Sequence, residues 1–221
     1  SEDHVNRLMW GQHEKGTAGI REMSEIGKEF GASHIFFVDQ CGSYSRLEET
    51  NNVVRWLDAA GQDVQLHTHP EYLPHNFWIE HKLSPSPEYM NHYDDARAEF
   101  VIKHFGNLIS DVTGKPVLAH RAGSFRWNAS TIRAIKAANI PLSFNNSMCA
   151  MHAGQCVYSA PTGMPYQWSN RVVEVPTTEK KILPKVGKDE WWARLTYPES
   201  SYFRFNPWWG KLLLDAFSGS P

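Results

Sequence analysis

The feature that most limits what this chain can become is an alternation running from Gly16 to Ser147. Short apolar runs of strand length are interleaved with longer stretches of helical apolar spacing. Gly16 to Phe30 has the helical spacing through Ile20, Met23, Ile26 and Phe30, and Gly31 suits its end. His34 to Val38 reads as a buried strand. Arg46 to Ala60 returns to helix, with Val53, Val54 and Leu57 on one face and Gly61 as the stop. Asp63 to Leu66 is the next strand and runs into His67-Thr68-His69-Pro70. Glu71 to Tyr89, with Pro74, Pro85 and Pro87, reads as a long ordered loop. Asp94 to Thr113 is helical, with Phe100, Val101, Phe105, Leu108 and Ile109 inward and Gly114 closing it. Pro116 to Ala119 opens another strand, followed by His120-Arg121-Ala122-Gly123. Asn128 caps a helix that runs to Ala138, Pro141 to Phe144 is a strand, and Arg171 to Val175 is a weaker one. Beyond Pro176 the pattern fades, and Glu190 to Gly210 is aromatic and irregular. The alternation predicts an α/β protein with a parallel sheet, open or barrel-like.

At 221 residues the chain suits one domain over 1–221. A net charge of -2 offers no basic field for nucleic acid. No apolar run approaches the ~20 residues of a membrane span. Ser1 to Trp10 is polar and does not read as a secretory signal, which leans towards the cytoplasm without excluding a leader already removed. The three cysteines lack metal-finger spacing; Cys149 and Cys156 are close enough to pair, but reduced, partly buried thiols suffice as an account. The eleven histidines favour a metal or acid–base site, and some of the nine tryptophans suit sugar stacking.

In folds of this class the chemistry lies beyond the carboxyl ends of the strands. Asp39 follows one predicted strand, His67 and His69 the next, and His120 and Arg121 a third. Residues two apart in an extended chain point to the same side, so both imidazoles of His67 and His69 can reach one ion. Two histidines, a carboxylate and an open position for water make a catalytic zinc-type site. His75 or His81 can replace His69 as the second imidazole. The carboxylate is Asp39 or one of the adjacent acids Glu2 and Asp3. Arg121 suits either bidentate orientation of a carboxylate or a structural ion pair. Asn145, Asn146 and Ser147 either line the same mouth or form a turn.

Three stretches resemble the polysaccharide deacetylase family of carbohydrate esterases: "GIREMSEIGKEFGASHIFFV" (Gly19 to Val38), "AAGQDVQLHTHP" (Ala59 to Pro70) and "HRAGSFRWN" (His120 to Asn128). The likeness covers about Gly16 to Ser147. It implies a distorted (β/α) barrel and a divalent metal, zinc first, held by one aspartate and two histidines. It further implies a carboxylate base positioned by an arginine, and removal of an N-acetyl group from an amino sugar or polysaccharide. On that mapping Asp3, His67 and His69 hold the metal, Glu2 or Asp39 is the base, and Arg121 positions it. The chain departs from the family in the close spacing of its histidine pair and in its Glu2-Asp3 pair. The family's late histidine acid has no counterpart beyond His152, which leaves His120 or His152 for that role. Other metal-dependent amidohydrolases, and a glycan-binding domain that has lost its chemistry, are the competing expectations.

Overall fold

The computed structural model describes residues 3–147, 150–151, 154–156 and 164–177, the side chains of residues 3 and 4 excepted. Two compact units divide the chain, Ser1–Thr177 and Thr178–Pro221. The second lies outside the described residues, as do Glu2, Cys149, His152 and the Glu190 to Gly210 stretch. The single domain expected over 1–221 therefore extends beyond what is described.

The chain opens with a short helix, α1 (Asp3–Leu8), and a two-residue hairpin, β1 (Gln12–His13) and β2 (Gly16–Thr17). Then come α2 (Ile20–Glu29), β3 (Ile35–Asp39), α3 (Leu47–Ala59), β4 (Asp63–Thr68), α4 (His75–Glu80), α5 (Asp95–Thr113), β5 (Ala119–Ala122) and α6 (Ala129–Ala137). Three two-residue strands follow: β6 (Leu142–Ser143), β7 (Tyr166–Gln167) and β8 (Val173–Glu174). The main sheet runs β3-β4-β5-β6-β8-β7 and is parallel except for the final β7–β8 pair. The protein is thus α/β with a mostly parallel sheet.

Several boundaries follow from local chemistry. Asp94 caps α5 by accepting the amide hydrogen of Arg97, and Gly114 ends it at φ 68°. Asn128 caps α6 through Thr131. The segment expected as a loop from Glu71 to Tyr89 instead contains α4, whose Phe77 and Trp78 are fully buried. Burial of those two rings, each worth roughly 1.5–3 kcal/mol, overrides the weak local signal. β5 begins later than expected because Gln65 Oε1 accepts from the amides of both Leu118 (2.8 Å) and Ala119 (2.7 Å), and pairing with β4 starts only beyond them. His120 and Arg121 accordingly lie inside the strand rather than after it.

α2 has the expected period, but most of its apolar stripe faces outward. Met23, Ile26 and Phe30 are 48%, 57% and 76% exposed, while Ser24 and Gly27 are buried. The cause is close packing at Gly27, where a β-carbon would stand 2.5 Å from the His34 ring and 2.7 Å from Ala32 O. The helix docks through its small residues, which turns the large ones outward.

Register divides the sheet into two faces. Leu66, Thr68, His120, Ser143 and Glu174 share the face that α3 and α5 cover, and Leu66, His120 and Glu174 are fully buried there. Phe37, Asp39, His67 and Arg121 share the other face. On it the rings of Phe37 (β3) and Phe144, just past β6, stand 5.2 Å apart. Three strand spacings separate β3 from β6, about 14 Å in a flat sheet. Ring contact requires the sheet to curl around this face.

Candidate functional site

Pairing places Asp39 opposite His67 and His67 opposite Arg121, one residue from each of β3, β4 and β5. These three form a row on the concave face at the carboxyl ends of adjacent parallel strands. Thr68 ends β4, and His69 turns over the row.

Asp39 is held by backbone amides. Its Oδ1 accepts from Cys41 (3.0 Å) and His69 (3.2 Å), and its Oδ2 accepts from Gly42 (3.1 Å). Burial pushes its carboxyl above the usual range, opposed by His69 and the amides. His67 donates from Nδ1 to the backbone carbonyl of Arg121 at 2.7 Å, and burial lowers its pKa to about 4. His69 donates from Nδ1 to Glu71 Oε1 at 2.6 Å, and this bond raises its pKa. The two imidazoles stand at 82° with ring centres 4.8 Å apart. Both therefore have Nδ1 occupied by an oxygen acceptor and Nε2 left as the lone-pair nitrogen.

Two further elements fix His69. The ring of Tyr72, itself 64% exposed, lies 5.5 Å away at 30°. The backbone at Gly123 closes on the imidazole, where a β-carbon would meet Nδ1 at 2.4 Å. Beyond Gly123, Ser124 and Phe125 both adopt positive φ, 53° and 52°, a costly conformation for residues with side chains. That turn brings the Phe125 ring under the Arg121 guanidinium at 4.5 Å. Arg121 makes no ion pair among the described residues, and its Nε is buried without an acceptor. Among the described residues its guanidinium meets no carboxylate, while its carbonyl orients His67.

The alternative imidazoles stand elsewhere. His75 is exposed at the start of α4, and His81 donates to Phe77 O and packs against Phe77, Phe100 and His104. Asp3 opens α1 rather than ending a strand. His120 is unsuited to the acid role. It is fully buried, bonded to Thr68 Oγ1 (3.0 Å) and Asn145 Nδ2 (3.4 Å), and burial pushes its pKa down to about 3. Its neutral form is the one the fold accommodates. The unfolded chain binds a proton near pH 6.5 that the folded chain refuses until about pH 3, so stability is lost as pH falls through that interval. Unfolding free energies from urea titrations run from pH 7 down to 4 should fall by up to roughly 3 kcal/mol, and this pH dependence should flatten in His120→Gln.

Asn145 and Asn146 belong to a buried network rather than a mouth. Glu174 Oε1 accepts from the amides of Asn145 (2.8 Å) and Asn146 (2.7 Å), and Oε2 from Trp168 Nε1 (3.2 Å). Asn145 Oδ1 accepts in turn from Ala122 N at 2.6 Å. The network ties β5, β6 and β8 together beneath the row. A cleft of about 780 Å³ runs along β3, walled by Val5, Met9, Phe36 and Val38, and reaches Asp39 and Tyr72 at one end.

The donor chemistry suits a metal in part. A histidine whose Nδ1–H is tied to a carbonyl or carboxylate presents Nε2 to an ion, the usual arrangement of imidazole ligands. Among the described residues, however, no three His, Cys, Asp or Glu side chains converge closely enough to hold one.

With this geometry in view, comparison with solved structures gives a partner in fold. The chain is similar to the crystal structure of a "putative polysaccharide deacetylase from Mycobacterium smegmatis". The TM-score is 0.51 at 14% identity, over 76% of this chain and 51% of that one. The likeness is one of fold. This chain spans about half the length of that protein. No family model matches the chain, and no curated protein matches its sequence.

Glu71 and Glu174 escaped the sequence reading. Glu71 had a signal: a carboxylate two residues past a histidine, across a proline that tightens the turn. Glu174 sits in a two-residue strand with no motif around it.

Proposed function

We propose that the chain is a metal-dependent hydrolase of the polysaccharide deacetylase type, cutting the amide bond of an N-acylated amino sugar. The reading rests chiefly on the row Asp39–His67–Arg121 with His69 turned over it, both imidazoles having Nε2 open. The fold shared with the Mycobacterium smegmatis protein supports it. His67 and His69 would hold a divalent ion, zinc first, and Asp39 is the carboxylate beside them. A bound ion supplies Lewis-acid polarisation and water activation. The chain's own residues do the rest. Asp39, if not a ligand, accepts the proton from water, the role otherwise expected of Glu2. Arg121, whose Nε is buried with no acceptor among the described residues, offers charge to the oxyanion of the developing tetrahedral carbon. Exposed Tyr72 beside His69 gives a pyranose ring a face to stack on.

Elemental analysis of the purified protein tests this directly. Wild type should carry near-stoichiometric metal and His67→Ala almost none, and wild type should release acetate from an N-acetylated amino sugar. Full metal content in His67→Ala would refute the site. One observation favours a second reading, a glycan-binding domain without turnover: the third ligand is not in place among the described residues. Sugar binding with no acetate release from metal-reconstituted protein would select it.

A further inference from the structure

We propose that Glu71 is a positioning residue that fixes the tautomer and orientation of His69. The functional consequence rests on the metal-site reading above; the tautomer itself does not.

Glu71 lies in the helical turn Pro70–Tyr72, which folds its side chain back on the residue before the proline. Its Oε1 stands 2.6 Å from His69 Nδ1, and its side chain is 10% exposed. A carboxylate oxygen is an acceptor only. The proton on a neutral His69 is therefore held at Nδ1, and Nε2 keeps its lone pair. The backbone at Gly123 packs against the face of the ring, where a β-carbon would stand 2.4–2.6 Å from Nδ1, Cε1 and Cγ, and so restricts rotation away from this bond. His67 reaches the same state by a different route, through the Arg121 carbonyl. Two near-perpendicular imidazoles, ring centres 4.8 Å apart, thus keep the same nitrogen unprotonated, one set by main chain and one by Glu71.

A purely structural role explains Glu71 less well. A carboxylate kept for stability has both oxygens saturated when buried. Here Oε2 is buried with no hydrogen-bonding partner among the described residues, while Oε1 serves His69. Its one observed bond is to the ring that faces His67.

The test is two-bond proton–nitrogen correlation NMR on metal-free, full-length protein with labelled histidine, at about pH 9 where imidazole is neutral. The His69 signal is assigned by its loss in His69→Gln. Wild type should show His69 protonated at Nδ1. Glu71→Gln, whose amide oxygen can accept the same hydrogen, should keep that tautomer, and Glu71→Ala should shift to a mixture rich in Nε2–H. Zinc affinity should fall 10- to 100-fold in Glu71→Ala, with Glu71→Gln recovering most of it. Should the alanine variant not fold, Glu71→Met keeps the volume and is read in the same way. An unchanged His69 tautomer in Glu71→Ala or Glu71→Met overturns the proposal. A wild type that binds no zinc, with tautomers shifting as expected, overturns the metal reading and leaves the role of Glu71 standing.

Discussion

Gly123→Ala is expected to disable the candidate site while leaving the fold in place. A β-carbon at this position would stand 2.4, 2.5 and 2.6 Å from Nδ1, Cε1 and Cγ of His69. The imidazole has nowhere to retreat, because Glu71 holds Nδ1, His67 stands across it and Tyr72 lies along it. Relief comes either from swinging the ring off Glu71 or from moving the Gly123–Phe125 turn, which already carries two residues at positive φ. Overpacking of this kind costs about 1–3 kcal/mol. On the proposed metal reading, loss of the tether should lower zinc affinity by at least the ~10–100-fold associated with a lost outer partner. Urea denaturation and zinc titration read the two effects separately. An alanine variant with wild-type affinity and an unshifted His69 resonance would show that the ring is not confined as described.

Glu174→Ala should have the largest effect on stability. It removes the acceptor of two buried main-chain amides and of one part-buried indole N–H. Each orphaned donor costs roughly 1–3 kcal/mol, less what water recovers on entering the space. A loss of roughly 3–5 kcal/mol is expected, enough to unfold a marginal domain near room temperature. Glu174→Gln retains one oxygen acceptor and should lose about half as much. The urea midpoint should move with little change in slope. A shift under about 1 kcal/mol for the alanine variant would mean that β8 is held by something other than this network.

Much of the fold is legible because burial and period agree. β3, β4, α3, α5 and α6 announce themselves, and Gly114 marks the end of α5 and Asn128 the start of α6 for reasons local to each residue. α2 shows where period fails: its apolar stripe is real, yet the fit of Gly27 against His34 decides which side docks. The site was partly legible for a similar reason. Strand-end polar residues can be found from pattern, but that Asp39, His67 and Arg121 form a row depends on register, which no single strand encodes. The role expected of Arg121 was placed on its side chain, while the contact it makes with the site is through its carbonyl. His120 looked like site chemistry because it neighbours Arg121; adjacency in a strand puts it on the opposite face.

The contact between Phe37 and Phe144 has a consequence for what the protein can admit. Asp39 lies two residues beyond Phe37 on the same face, so the two rings act as a spacer below the row of Asp39, His67 and Arg121. Their combined thickness gauges the aperture between the first and fourth strands of the sheet. A slimmer residue at either position would narrow it and a bulkier one would wedge it open, with every reactive group untouched. The spacing of the polar row is thereby separable from its chemistry, and can drift by substitutions at residues that belong to neither.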